Sequence, residues 1–258
     1  MSHQDRIRIF DSQSEAYKQA FQLFLNHTDQ KRNAKRWLQD VVDRLSERSV
    51  LIDAGAGNGE VTKAFAGAFT RTIAIEPNVY LRDQLQQTLP NVDVIGLPIM
   101  AAQPDTRGDL VLCSHTLYYI PPEEWLAHLE RLVSWMSPTG VTIVVLQHRE
   151  SGCMSMVNHF FGHRFELRQT ADAFRAKHGD QYDVMITQDP AHVEIPDLGK
   201  AYAVAEFMLN LLDGQFAPTR QEVEAYLQAH FAVPDGGYRI PVHQDFLTIR
   251  YQPLVRQA

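Results

Sequence analysis

Val50-Leu51-Ile52-Asp53-Ala54-Gly55-Ala56-Gly57-Asn58-Gly59-Glu60 is the stretch that decides the fold. Its apolar run, bounded by glycines, reads as a parallel strand buried on both faces. The alternating glycines allow a tight turn and let a ligand come close to the backbone. A helix is expected next, with its first N–H groups and positive dipole end turned toward the loop. Strand, glycine turn and helix in this order form the first βα unit of a nucleotide-type α/β sheet, where ligands lie beyond the strand ends.

The departures from known loops narrow the ligand. A dinucleotide loop reads G-x-G-x-x-G, but here Gly59 comes one residue early and Glu60 takes the third glycine's place. An anionic side chain there is unfavourable beside a pyrophosphate, which argues against NAD. Asp53 at the strand end likewise favours a cationic or hydroxyl-bearing ligand. No Gly-Lys-Ser/Thr follows, which excludes a Walker A loop. The next strand, Arg71-Thr72-Ile73-Ala74-Ile75-Glu76, ends in an acid placed to hydrogen-bond a ribose diol, at the roughly 20-residue interval of that arrangement.

Asp53-Ala54-Gly55-Ala56-Gly57-Asn58-Gly59 with Glu76-Pro77 resembles the motifs of class I S-adenosylmethionine-dependent methyltransferases. The resemblance implies a Rossmann-like α/β fold: a mostly parallel sheet with an antiparallel last strand, an N-terminal helical lid and a C-terminal helical substrate cap. It also implies S-adenosylmethionine as cofactor. The glycine loop (Asp53, Gly55, Ala56, Gly57, Asn58, Gly59) would wrap the methionine part, and Glu76 with Pro77 would hold the ribose. Many members carry an acid after the third strand that meets the adenine amino group. This chain has Gly96-Leu97-Pro98 there, leaving backbone groups and Leu97 at the base.

The 258 residues suffice for one domain with insertions. The expected division is 1–47 helical lid, 48–150 cofactor core and 151–258 substrate cap with the final strands. A net charge of −7 and a pI near 5.9 argue against a general nucleic-acid binder. The basic cluster Lys31, Arg32, Lys35 and Arg36 reads as a solvated helix face. With only Cys113 and Cys153, no disulfide framework is expected, and a reducing cytoplasm is the simplest compartment. No apolar run approaches the ~18 residues of a membrane span, and Met1 to Asp5 show no signal-peptide pattern.

In chain order, two helices precede the first strand. One carries Tyr17, Phe21, Phe24 and Leu25, the other a stripe from Ala34 to Leu45, with a turn at Asn26–Asp29. Later helices are expected over 62–68, from Asn78 toward Pro90, and after Pro121-Pro122. Strands are expected over 92–95, 109–114 and 141–146, the last entered through a turn at Pro138-Thr139-Gly140. Beyond about residue 150 lie two short helices, a strand at 182–187, a helix from Leu198 toward Gly214, and a helix opened by the capping box Thr219–Glu222. A final strand spans 246–251.

Further segments resemble the histamine N-methyltransferases. They are Tyr17 and Phe21 before Phe24-Leu25-Asn26-His27, then Leu117-Tyr118-Tyr119, then Ser151-Gly152 with Gly162 and Arg164-Phe165. That family holds its acceptor with a glutamate, a glutamine and an asparagine. By register this chain offers Gln30, His115 and Gln244, with Asp29 the one acid near the first position. The resemblance therefore implies acceptor contacts from Tyr17, Phe21, Asn26, Gln30, His115, Tyr118, Tyr119 and Gln244, with Ser114 nearer the cofactor.

An imidazole titrates near neutrality and suits proton removal, so His115 reads either as a catalytic base or as a strand-end structural histidine. His159 and His163 have helical ligand spacing, but no third ligand suits them and Gly162 weakens the helix; no metal is expected. The reading is a cytoplasmic enzyme, monomer or homodimer, that methylates a small molecule, most simply an amine or N-heterocycle. An O-methyltransferase and a cofactor-binding pseudo-enzyme acting through protein contacts stand as alternatives, and neither a nucleic acid nor a membrane is an expected partner.

Overall fold

The computed structural model describes residues 6–10, 14–210 and 217–252. The helices are α1 (Glu15–His27), α2 (Gln30–Asp43), α3 (Glu60–Phe65), α4 (Val79–Thr88), α5 (Trp125–Ser134), α6 (Gly152–Phe161), α7 (Leu167–His178), α8 (Leu198–Leu209) and α9 (Arg220–His230). The strands are β1 (Val50–Ala54), β2 (Arg71–Ile75), β3 (Asp93–Ile95), β4 (Gly108–Ser114), β5 (Met136–Gln147), β6 (Tyr182–Asp189), β7 (His192–Ile195), β8 (Tyr238–Pro241) and β9 (Gln244–Tyr251). The chain forms two compact units. One comprises Met1–Ala34, Gln147–Phe165 and Gln188–Gln244; the other comprises Lys35–Leu146, Glu166–Thr187 and Asp245–Ala258.

The second unit is built on a seven-stranded sheet in the order β3-β2-β1-β4-β5-β9-β6. The pairs from β3 through β5 are all parallel. β9 runs against β6: Gln252 N–H donates to Gln181 O and Thr248 Oγ1 to Met185 O, so the two strands advance in opposite directions. The sheet is thus the mostly parallel Rossmann-like one expected, with its last strand reversed. All five residues of β1 are buried, as a strand covered on both faces requires. Trp37 of α2 lies 4.1 Å from the ring of Phe246, and Leu38 and Val42 of the same stripe are buried.

Two expectations about this sheet change. Pro138-Thr139-Gly140 does not separate a turn from a strand, because β5 runs from Met136 through it. Gly108 pairs with Met136 but Leu110 with Val141, so the extra residues are absorbed as a bulge. Gly140 permits it: a Cβ there would meet Gly108 O at 2.8 Å and Asp109 O at 3.0 Å. The helix after the glycine loop is also shorter than expected, Glu60–Phe65, passing into a 3-10 turn at Ala66–Ala68. So short a helix contributes little dipole to the loop.

The first unit gathers α1, α6, α8 and α9. Ser14, Ser151, Asp197 and Thr219 cap these helices, and Thr219 and Glu222 form the reciprocal capping box expected from sequence. An antiparallel pair not expected from sequence, β7 with β8, lies in this unit. α8 ends at Leu209 with Asn210 as its C-cap, short of the expected end near Gly214; residues 211–214 lie outside the described residues. Among the described residues no helix is long and apolar enough to cross a membrane.

Candidate active site

The C-terminal edge of the parallel sheet carries the glycine turn, Glu76 and His115. Gly55, Gly57 and Gly59 have φ of 76°, 57° and 83°, a region that side-chain-bearing residues rarely enter. Gly55 N–H and Ala56 N–H both donate to Ile75 O, at 2.8 and 3.1 Å, which ties the turn to the end of β2. A Cβ on Gly55 would come within 2.2 Å of Thr116 Oγ1, whereas one on Gly57 would meet nothing within 4 Å. The turn is therefore packed behind Gly55 and open in front of Gly57, as a ligand cradle requires.

Two buried acids flank this cradle. Glu76 is 6% exposed; one carboxylate oxygen accepts from Gly57 N–H and the other from Asn78 N–H, each at 2.8 Å. Each oxygen keeps a second lone pair for a ribose hydroxyl. Asp53 is 1% exposed and accepts from the Thr62 hydroxyl at 2.6 Å. Burial pushes the Asp53 carboxyl up to about 6; the Thr62 hydrogen bond opposes this and the Glu76 charge adds to it. Neither acid has a salt bridge to the protein among the described residues, and a cationic ligand would relieve the buried charge of Asp53. These features fit S-adenosylmethionine, whose sulfonium and ammonium are cations and whose ribose offers a diol.

The Asp53 shift has a sign that can be measured. An acid with a raised folded pKa holds its proton when folded over a range where the unfolded chain has lost it. Its contribution is fully present below about pH 4 and is lost as pH rises through about 6. Asp53→Asn keeps an acceptor for Thr62 without the charge. The ligand-free variant should therefore be more stable than the parent at about pH 7, by up to about 3 kcal/mol, and the two should converge below about pH 4. Thermal melts across this range are the check; a constant difference at every pH would contradict the raised carboxyl.

His115 follows β4 directly. It is the one non-glycine residue with positive φ, 56°, among the described residues. Its N–H donates to Val145 O at 2.9 Å, and its Nδ1 lies 3.4 Å from Tyr118 Oη with the two rings stacked at 6.0 Å. Leu117 to Tyr119 form a 3-10 turn in which Tyr118 is 8% exposed and Tyr119 77% exposed. Ser114 is half-buried, its carbonyl accepting from the Thr116 hydroxyl at 3.2 Å. Pro77 and Asn58 are exposed at the mouth of the turn, and Leu97 is 46% exposed. Burial pushes the thiols of Cys113 and Cys153 up to about 12, so both stay protonated near neutrality.

The other expected acceptor residues lie in the first unit. Tyr17 and Phe21 stack at 6.2 Å and both meet Phe207, at 5.4 and 5.5 Å. Asn26 is exposed and its Oδ1 accepts from Gln22 at 2.8 Å. Gln30 is buried and its amide donates to Val242 O at 2.8 Å, while Gln244 is 2% exposed. Asp29 accepts from His192 N–H at 2.8 Å. Gly162 ends α6 with φ 70°, so His163 lies beyond the helix that carries His159. Sequence reading missed Thr62 and Thr116, whose hydroxyls show no pattern in sequence and acquire meaning only from what they touch.

Residues 25–199 match the methyltransferase-domain family, and the chain belongs to that family: it is a class I S-adenosylmethionine-dependent methyltransferase. Among solved structures it is similar in fold to the N-methyltransferase NodS of Bradyrhizobium japonicum WM9 in complex with S-adenosyl-L-homocysteine (TM-score 0.56, 10% identity, 93% of this chain and 100% of that one). It is also similar to a putative methyltransferase of Bacillus halodurans C-125 (0.59, 12% identity, 84% and 97%). Magnesium protoporphyrin IX methyltransferase of Synechocystis PCC 6803 with bound S-adenosylhomocysteine is a third (0.52, 12% identity, 86% and 84%). No curated protein matches the sequence.

Proposed function

We propose that the chain transfers a methyl group to a nitrogen of a small amine or N-heterocycle. The observation that carries this reading is His115: a residue held in left-handed backbone, at the end of β4, on the edge that carries the glycine turn. Strain of this kind costs roughly 1–3 kcal/mol and persists where the surroundings over-determine it, which happens often at functional sites. The segments resembling the histamine N-methyltransferases, Leu117-Tyr118-Tyr119 above all, point to the same class of acceptor.

When bound, S-adenosylmethionine supplies an already activated methyl group. Asp53, the glycine turn and Glu76 would hold it. What remains for the protein is to align the acceptor and remove a proton from it. In the tautomer whose Nδ1–H donates to Tyr118 Oη, the His115 lone pair stands on Nε2, where it would accept the proton of an ammonium acceptor. The exposed ring of Tyr119 offers an aromatic wall to the acceptor.

Methyl transfer from labelled S-adenosylmethionine to a panel of small amines, N-heterocycles and phenols is the test. Label on nitrogen is the expected outcome. Label confined to phenols would replace the reading with O-methylation, and cofactor binding without transfer to any acceptor, polymers included, would favour a pseudo-enzyme.

A further inference from the structure

The resemblance leaves the cofactor's base only backbone groups and Leu97, with no side chain to hydrogen-bond it. The sheet order β3-β2-β1 gives the direction in which it lies. The glycine turn follows β1 and Glu76 follows β2, so a nucleoside with its sulfur arm at the turn and its ribose at Glu76 carries its base toward the end of β3. Ile75 pairs with Ile95, and Glu76 N–H donates to Ile95 O at 3.1 Å, which sets Gly96 next to the ribose acid along the edge. Position 96 has no side chain, but a Cβ there would fall 2.3 Å from Arg82 Nη1 and 2.9 Å from Arg82 Cζ. The guanidinium of Arg82, reaching from α4, therefore lies over the Gly96 backbone. Among the described residues it makes no hydrogen bond or ion pair. Large apolar side chains of α4 and of the stretch after β3 are exposed: Val79 at 59%, Leu97 at 46% and Met100 at 47%.

We propose that Arg82 reads the edge of the cofactor's purine by donating hydrogen bonds to it, with Gly96 as the seat that lets the guanidinium lie there. A guanidinium donates only. It must therefore meet ring nitrogens of the base and not the exocyclic amine, which an acidic side chain would meet. Recognition of this kind has a consequence for specificity. A purine with oxygen at C6 presents N7 and O6 as paired acceptors, the geometry that arginine engages with two hydrogen bonds. With Arg82 on the N7 edge, the site accepts a 6-oxo purine that a carboxylate at the amine would reject.

The test is calorimetric titration of the full chain with S-adenosylhomocysteine and with S-inosylhomocysteine, its 6-oxo counterpart. The unmodified protein should bind the 6-oxo compound at least as tightly as the adenine one. Arg82→Ala should weaken both by about tenfold or more, the 6-oxo compound further, as expected for hydrogen bonds from a charged donor. Gly96→Ala, which displaces the guanidinium without removing it, should do the same in smaller degree. Melting curves without ligand should stay close to those of the parent. Unchanged affinities in Arg82→Ala, an equal loss for both compounds, or rejection of the 6-oxo compound by the parent would each overturn the assignment. Glu76→Ala run in parallel separates the two levels. If it loses affinity while Arg82→Ala does not, the cofactor site stands and the base assignment falls; if the parent binds neither compound, both fall.

Discussion

His115→Asn should retain cofactor affinity and lose at least about tenfold in turnover near neutral pH, in line with the roughly 10²–10⁴-fold that a positioned base contributes. Asparagine suits this experiment because it tolerates left-handed backbone better than most residues, so the φ of 56° can be kept while the imidazole is removed. The defect should shrink at high pH, where an amine acceptor loses its proton to solvent. A mutant that mainly raises KM, with no recovery at high pH, would make His115 an orienting residue. A lowered melting temperature with full activity per folded molecule would make it structural. Tyr118→Phe should reproduce part of the turnover defect, since it removes the oxygen 3.4 Å from Nδ1.

Glu76→Ala should weaken S-adenosylhomocysteine by roughly 1.5–3 kcal/mol, on the order of 10- to 150-fold. Two effects combine. The ribose loses a charged acceptor, and Gly57 N–H and Asn78 N–H lose the oxygens that hold the turn, each now at 2.8 Å. Glu76→Gln keeps one acceptor and faces one of those N–H groups with its amide NH2, so it should fall between parent and alanine variant. Calorimetry with unchanged affinity in Glu76→Ala would remove the residue from the site.

The first βα unit was legible because its signals are local. An apolar run sets β1, glycines set the turn, and a second strand ending in Glu76 follows at a fixed interval. The helix caps at Asn78 and Thr219 were legible for the same reason: a capping side chain acts within three residues. What sequence could not give depends on distant partners. β7 and β8 are four residues each and become strands only by pairing with one another. The β5 bulge looks like a turn because Pro138 and Gly140 are turn residues; the fit of Gly140 against Gly108 and Asp109 keeps it in the sheet.

The site divides along the same line. That Asp53, Gly55, Gly57 and Glu76 share one edge of the sheet could be read from the strand and turn spacing. The Thr62 hydroxyl on Asp53, the Thr116 side chain behind Gly55 and the Arg82 guanidinium over Gly96 could not, because each is a meeting of segments far apart in the chain. The left-handed backbone of His115 is likewise absent from its letter. Register from a resembling family suggested Gln30 and Gln244 as acceptor contacts; that both are buried and that the Gln30 amide donates to Val242 O was not readable from it.

Everything proposed here turns on whether the edge formed by Asp53, the glycine turn and Glu76 takes an S-adenosyl ligand. Isothermal titration of the full chain with S-adenosylhomocysteine and, separately, with NAD measures this directly. Saturable one-to-one binding of S-adenosylhomocysteine, with no heat from NAD, is the expected result. Binding of NAD, or a folded chain that takes up neither, would contradict it.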